Sequence, residues 1–255
     1  MRVVSYAVVG YSLALTLAYK VISMPTDTLS PSQSIIDGKT LVSAKEKFQL
    51  GFFSPNNSNN RYLGIWYYNI KPQTIVWVAN RNYPLNDSSG TMKIGGDGNL
   101  ILFHHIESVA WSTNIKNMSS KIIVAQLQDS GNLVLRDESN GFKESYLWQR
   151  FDHPSDTWLA GMKLGWDLRI GLNRYLTSWK SEDDPSPGEF TCGLDRKAPP
   201  HLVLRKGSVK IFRSATWDGV RFRGLSVSPD LTIIPKVISN LEELYFEYGL
   251  YNDES

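Results

Sequence analysis

The pentapeptide GNLIL at residues 98–102 returns 33 residues later as GNLVL at residues 131–135. Each copy follows polar turn residues, GGD at 95–97 or QDS at 128–130, and each continues as a short run of leucine and β-branched residues. Turn residues followed by such a run predict a strand entered from a tight turn. The repeat therefore predicts structural units that recur along the chain.

A tryptophan follows each copy of the repeat, Trp111 after the first and Trp148 after the second. A looser copy runs from Phe48 to Trp66. Three similar units, each ending in a tryptophan, predict a pseudo-threefold assembly of sheets. Trp66, Trp111 and Trp148 should then converge on a shared core.

The rest of the chain also favours an all-β fold. It has 255 residues, 42% of them hydrophobic and 20% charged, which is ordinary globular composition and excludes a disordered or collagen-like chain. The net charge of +2 gives no basic surface of the kind nucleic acids require. Short β-branched and aromatic runs are bounded by Gly, Asn, Asp and Pro, as in FQLGFF (48–53), YLGIWY (62–67) and TIVWVA (74–79).

The N-terminus predicts export. Arg2 precedes a mostly apolar run that ends at Lys20, so residues 1–23 are predicted to be a signal peptide. No later stretch reaches the about 18 apolar residues of a spanning helix. Three N-glycosylation sequons in polar segments agree with secretion, at Asn56, Asn86 and Asn117. Cys192 is the one cysteine, so no intrachain disulfide and no cysteine-based metal site is expected.

A second β-rich unit is predicted for residues 151–255, after a lectin-like unit at 24–150. An acidic, proline-interrupted segment at 182–188 is predicted to be a loop. Strand-like runs follow at 190–194, 201–204, 209–212 and 245–248. The last run, near the end of the chain, is expected to leave an open aromatic edge.

Several motifs resemble a plant family, in the family's order along the chain. The first region resembles the bulb-type mannose-binding lectin domain of S-locus glycoproteins and S-domain receptor-like kinases. The stretches that carry the resemblance are KEKFQLGFFSP (45–55), YLGIWY (62–67), VWVANR (76–81), DSGNLVL (129–135) and WQRFDHPSD (148–156). The second region is similar to the S-locus glycoprotein domain through GMKLG (161–165), LTSWKSEDDPSPG (176–188) and FRSATWDG (212–219).

The resemblance implies a β-prism II lectin domain followed by a truncated S-locus glycoprotein domain. It implies a non-catalytic extracellular recognition module that binds carbohydrate or protein ligands, in pollen recognition or defence, and that associates with a full-length receptor kinase. The kinase part of such receptors is not expected here, since the chain contains neither a kinase Gly-rich loop nor an HRD-type loop. No cofactor is expected.

A degenerate sugar-binding motif accompanies the resemblance. Bulb lectins bind mannose through QxDxNxVxY, in which alternate strand residues share one face. The candidate carbohydrate-binding residues are Asp97, Asn99, Ile101 and Phe103 in one copy and Gln128, Asn132 and Val134 in the other. Gly95 replaces the glutamine and Phe103 the tyrosine of the first copy, whereas Ser130 and Arg136 replace the aspartate and tyrosine of the second. A mannose lectin that uses Asp97 and Asn99 is therefore one alternative. The other is that these two residues only form the turn that enters a strand.

Other chemistry has little support in the sequence. His104 and His105 are adjacent, so on a strand they should point to opposite faces and could not share a metal ion. The consecutive acids at 182–184 fit a solvated turn, which disfavours a secreted glycan-acting enzyme, the second alternative. Cys192 is expected to be buried and inert, with an intermolecular disulfide as the minor alternative.

Overall fold

The computed structural model describes residues 26–56, 58–105, 108–116, 122–140, 146–196, 199–219, 222 and 233–250. The predicted signal peptide and Asn117 lie outside these ranges. Within them the regular structure consists of strands and two short 3-10 turns, at Glu138–Asn140 and Arg150–Asp152. The predicted all-β class is confirmed.

Twelve strands form three antiparallel four-stranded sheets in the first part of the chain. Sheet I contains β3 (Leu41–Val42), β4 (Phe48–Phe53), β5 (Tyr62–Tyr67) and β6 (Ile75–Val78). Sheet II contains β2 (Ser34–Ile36), β7 (Thr91–Ile94), β8 (Leu100–His104) and β9 (Ser108–Ser112). Sheet III contains β1 (Thr28–Leu29), β10 (Ile123–Leu127), β11 (Leu133–Asp137) and β12 (Trp148–Gln149).

The three sheets share one hydrophobic core. Leu50 of sheet I, Leu102 of sheet II and Leu135 of sheet III are fully buried members of the same cluster. Each lies on a strand where alternate side chains face inward, which is what period-two alternation produces. Three sheets around a common core form the predicted β-prism.

The repeated turns are closely matched, as the sequence predicted. Gly95 N donates to Asn99 O at 2.8 Å, and Gln128 N donates to Asn132 O at 2.9 Å. The glycine before each asparagine has a positive φ, +81° at Gly98 and +78° at Gly131. This left-handed conformation carries a steric cost for residues that have a Cβ. The two glycines therefore allow the turns that feed β8 and β11.

The tryptophan prediction needs one correction. Trp111 and Trp148 do meet, with ring centroids 5.7 Å apart, but the third member is Trp77 rather than Trp66. Trp77 lies 5.8 Å from Trp111 and 6.3 Å from Trp148. All three lie on the fourth strand of their sheets, whereas Trp66 lies on the third strand of sheet I. The looser repeat is aligned one strand too early, because β4 and β5 have similar apolar sequences.

Two further four-stranded sheets form the second part of the chain. Sheet IV has the order β14-β13-β20-β19, from β13 (Leu164–Asp167), β14 (Leu172–Arg174), β19 (Ile233–Ser239) and β20 (Glu243–Leu250). Sheet V has the order β15-β16-β17-β18, from β15 (Leu176–Ser181), β16 (Asp184–Leu194), β17 (Leu202–Lys206) and β18 (Val209–Arg213).

Two expectations for this region are wrong. Strand β20 is not an open edge, because it pairs with β13 on one side and with β19 on the other. The segment 182–188 is not a loop throughout, because β16 begins at Asp184. Pro185 and Pro187 fit in this strand because its pairing with β15 shifts register there, and proline is tolerated at such irregularities.

The hairpin of β15 and β16 covers the outer face of sheet I. Trp179 packs against a cluster of Phe53, Tyr62, Trp66 and Val78 on that face. The rings of Trp179 and Phe53 are stacked, with centroids 6.5 Å apart. The buried Trp66 therefore belongs to this outer cluster and not to the core of the prism.

The predicted division after residue 150 stays a prediction. Phe151, Leu159 and Met162 pack in the core cluster of the three lectin-like sheets. A separate cluster contains Leu194 and Phe246 of sheets V and IV.

Candidate functional site

The first copy of the sugar motif forms a closed hydrogen-bond network. The Asn99 side chain is 6% exposed. Its Nδ2 donates to Asp97 Oδ2 at 2.8 Å and to Ile115 O at 3.2 Å. Its Oδ1 accepts from Thr113 Oγ1 at 2.9 Å and from Ile115 N at 2.6 Å. An amide has two donors and two acceptor positions, so Asn99 is saturated by its own fold.

Asp97 is more open to solvent than Asn99. Its Oδ1 accepts from Asn99 N at 3.1 Å, and hydrogen bonds from Asn99 lower the pKa of the Asp97 carboxyl. Ile101 and Phe103 are half-buried on the outer face of sheet II, and the Lys93 ammonium lies 5.0 Å from the Phe103 ring centroid. This copy therefore presents one carboxylate, an apolar strip and a cation.

The second copy is occupied in a similar way. Gln128 Nε2 donates to Tyr146 Oη at 2.8 Å, and Asn132 Nδ2 donates to Gln149 Oε1 at 3.0 Å. Val134 is fully buried. The structure brings the motif residues together within each copy. Their side-chain amides, however, already form hydrogen bonds with the backbone near strand ends and with neighbouring side chains.

A cleft that is separate from both copies of the sugar motif lies beside the tryptophan cluster. Its volume is about 610 Å³. Side chains from both parts of the chain line it: Trp77, Arg81, Asn82, Trp111, Asn114, Trp148, Asp152, His153, Asn173 and Tyr175. Aromatic faces with polar groups around them are typical of small-ligand sites. The family stretches VWVANR and WQRFDHPSD supply part of its walls, but no motif shows that they meet, because the lining segments lie far apart along the chain.

Two features of the cleft are suited to ligand binding. Tyr175 is 45% exposed, so its ring and hydroxyl are accessible to a ligand. Asn173 Oδ1 is buried and has no hydrogen-bond partner within the described ranges. A buried acceptor of this kind carries a desolvation cost that a small rotation of the amide toward the cleft, with a donor present, would relieve.

Arg81 fixes the geometry of one cleft wall. Its Nε donates to Pro185 O at 2.6 Å, and its Nη2 donates to Thr177 O at 3.1 Å and Ser178 O at 2.8 Å. Burial lowers the pKa of this guanidinium, opposed by the nearby carboxylate of Asp156. One cation thus ties the end of sheet I to the covering hairpin.

The histidine pair contradicts the sequence expectation. His105 has φ of +56°, so the chain leaves the extended conformation at this residue. The rings of His104 and His105 are stacked on the same side, with centroids 4.1 Å apart, and both face Asp87. The alternation rule fails here because it holds only for extended backbone.

The remaining candidates are placed as follows. Asn56 and Asn86 are exposed, which suits glycosylation, although their modification stays a prediction. Cys192 is half-buried, and burial raises the pKa of its thiol. Within the described ranges, no helix is long and apolar enough to cross a membrane.

Comparison with known proteins gives two matches to lectins. A family model described as D-mannose binding lectin matches residues 74–180. A solved structure of monomeric mannose-binding lectins from Gastrodia elata is 22% identical over 49% of this chain and 96% of its own, with a TM-score of 0.37.

Two relatives of known family cover almost the whole of this chain. S-locus-specific glycoprotein S6 of Brassica oleracea is 42% identical, over 96% of this chain and 58% of its own length. Receptor-like serine/threonine-protein kinase SD1-7 of Arabidopsis thaliana is 44% identical, over 93% of this chain and 28% of its own length. The chain is a lectin-fold homologue of S-locus glycoproteins and G-type lectin S-receptor-like kinases, which confirms the resemblance. It spans between about a quarter and just over half of the relatives it matches.

Proposed function

We propose that this chain is an extracellular, non-catalytic recognition module that binds an oligosaccharide in the cleft between its two parts. The observation that carries the proposal is the cleft itself. It combines tryptophan and tyrosine rings with amide and charged side chains. Aromatic faces suit the apolar faces of sugar rings, and the polar groups suit their hydroxyls.

The relatives support the wider context of this proposal. Their names include glycoproteins of the S locus and lectin-type receptor kinases. We infer that the chain acts in cell–cell recognition and associates with a full-length receptor kinase. We also infer that it is secreted after removal of residues 1–23. Expression in a eukaryotic secretory host followed by glycosidase treatment tests export, and a product kept in the cytosol with no gel shift contradicts it.

A mannose site at Asp97 and Asn99 is the second candidate. The retained turn and the exposed Asp97 carboxylate favour it. The saturated amide of Asn99 limits what this site offers, since a sugar would have to displace internal hydrogen bonds. The cleft is therefore our first choice.

A glycan array with the full secreted chain separates these proposals. We expect binding that Tyr175→Ala reduces and Asp97→Asn leaves unchanged. Tyr83→Ala, an exposed tyrosine that does not line this cleft, is the matched control. Loss of binding in Asp97→Asn, with competition by methyl mannoside, supports the strand motif instead. Absence of binding to every glycan contradicts both sites and favours a protein ligand.

A further inference from the structure

Three metal-ligating side chains meet at one end of sheet II, outside the cleft and the sugar motif. They are Asp87, in the segment before β7, and His104 and His105, at the end of β8. One ligand atom from each lies within 4.8 Å of the others. His104 Nε2 is 3.5 Å from Asp87 Oδ1, and His105 Nε2 is 3.6 Å from Asp87 Oδ2.

The backbone holds the histidines in this arrangement. His105 adopts a left-handed conformation, which is uncommon for residues other than glycine and brings its ring beside that of His104. Its N–H donates to Ser89 Oγ at 3.3 Å. Ser89 N in turn donates to Asp87 Oδ1 at 2.8 Å. Ser89 thus connects the Asp87 carboxylate with the backbone of His105.

The two histidine–aspartate distances, which end on different oxygens of the Asp87 carboxylate, fit a shared ion better than direct hydrogen bonds. An N–H···O hydrogen bond places its heavy atoms about 2.7–3.2 Å apart, and both histidine–aspartate distances are longer. Two ligand atoms on a tetrahedral Zn²⁺ lie about 3.4 Å from each other, given bonds of about 2.1 Å. In addition, His104 Nε2 is buried and has no hydrogen-bond partner in the described part of the chain.

We propose that Asp87, His104 and His105 form a binding site for a divalent transition-metal ion of the Zn²⁺ type. Both imidazoles bind through Nε2, the Asp87 carboxylate supplies an oxygen, and water completes a tetrahedral shell. Two nitrogen ligands and one oxygen ligand favour Zn²⁺ and Cu²⁺ over Mg²⁺ and Ca²⁺, which prefer oxygen alone. The bound ion links the segment that carries Asn86 to the end of β8.

Isothermal titration of the full mature chain, without a polyhistidine tag and after chelator treatment, tests the site. We expect saturable binding of one Zn²⁺ in the presence of excess Mg²⁺. Asp87→Asn and His105→Asn should each weaken Zn²⁺ binding at least about tenfold, since loss of an outer-shell partner alone costs about 10–100-fold. Both substitutions suit the local fold. Asparagine tolerates the left-handed conformation of His105, and the amide oxygen that replaces the Asp87 carboxylate can still accept from Ser89 N.

Asp137→Asn is the matched control. Asp137 Oδ1 accepts from the N–H of the serine two residues later, as Asp87 does, but it is not in the metal-ligand group. Asp87→Asn and Asp137→Asn each place an asparagine two residues before a serine and so create a sequon. Wild type and all variants are therefore produced in a bacterial host that adds no N-glycans. Nitrogen-detected NMR of the four histidines should show Zn²⁺-dependent shifts at the Nε2 atoms of His104 and His105. Zn²⁺ affinity that is equal in wild type and both ligand variants, or shifts confined to His153 and His201, overturns the proposal.

Discussion

Replacing Arg81 with methionine should release the β15–β16 hairpin from sheet I. The methionine keeps much of the apolar stem of the side chain but removes the donors to the carbonyls of Thr177, Ser178 and Pro185. Hydrogen bonds to a charged group contribute about 1.5–3 kcal/mol each. The three hydrogen bonds share one guanidinium, and in the variant water can bond to some of the released carbonyls. We therefore expect the free energy of hairpin docking to fall by about 2–4 kcal/mol, less than the sum of three separate bonds.

This loss converts into a measurable increase in the population of the open hairpin. Each 1.4 kcal/mol is a factor of about ten, so the open hairpin should be about 30–700 times more populated. Hydrogen exchange followed by mass spectrometry reports this population when closing is fast. Peptides that cover residues 176–194 should exchange faster by that factor, whereas peptides that cover β8 should not change.

Arg205→Met is the matched control, since Arg205 lies on β17 of the same sheet and contacts Ser208 O at 3.5 Å within its own turn. It should alter exchange less than about threefold. If Arg81→Met leaves residues 176–194 as protected as this control does, the guanidinium does not anchor the hairpin. Equal acceleration in β8 would refute the local character of the effect.

Three other substitutions test the fold. Trp77→Ala should lower the free energy of unfolding by about 3–5 kcal/mol in a denaturant titration, because Trp77 is only 3% exposed and packs in the core cluster of the three sheets. A loss under about 1 kcal/mol contradicts this packing. Gly165→Ala should cost at least about 1–3 kcal/mol, because φ is +140° and a Cβ would collide with the backbone of β20. Gly171 also has a positive φ, of +70°, but has open space around a Cβ, so Gly171→Ala should cost less. Hydrogen bonds from Arg169 lower the pKa of Asp167 to about 2, below its unfolded value of about 3.9. Its stabilisation is present above the unfolded value and is lost as the pH falls from about 4 through 2. Asp167→Asn should therefore flatten the fall in melting temperature over that range, and an unchanged slope contradicts this.

The repeat made much of the prism predictable. Asparagine and glycine at fixed positions define two turns, and the leucines that follow define two strands with one buried face. The third unit was harder to place, because sheet I has no Gly-Asn signature. Without a Gly-Asn pair, the sequence does not show whether β4 or β5 corresponds to the repeated strand. Choosing β4 leads to Trp66 as the expected cluster member, whereas Trp77 is the one in the structure.

The candidate site was less predictable for two physical reasons. Motif residues reveal chemical type but not whether their hydrogen bonds are already used, as those of Asn99 are. Contacts such as those of Arg81 end on backbone carbonyls, and every residue has a carbonyl, so the sequence carries no mark of them. The histidine pair was missed because a single left-handed residue reverses the alternation on which the expectation depended.

The cover over sheet I has a practical consequence for dissecting this protein. Phe53, Tyr62, Trp66 and Val78 are shielded by a tryptophan that lies beyond residue 150. A fragment that ends there would present a row of aromatic side chains to water, and exposed patches of this kind promote self-association. Ligand measurements on such a fragment would include nonspecific binding to a hydrophobic surface that the β15–β16 hairpin covers in the longer chain. Apparent ligand binding by the shorter fragment would therefore need to be checked against the longer chain.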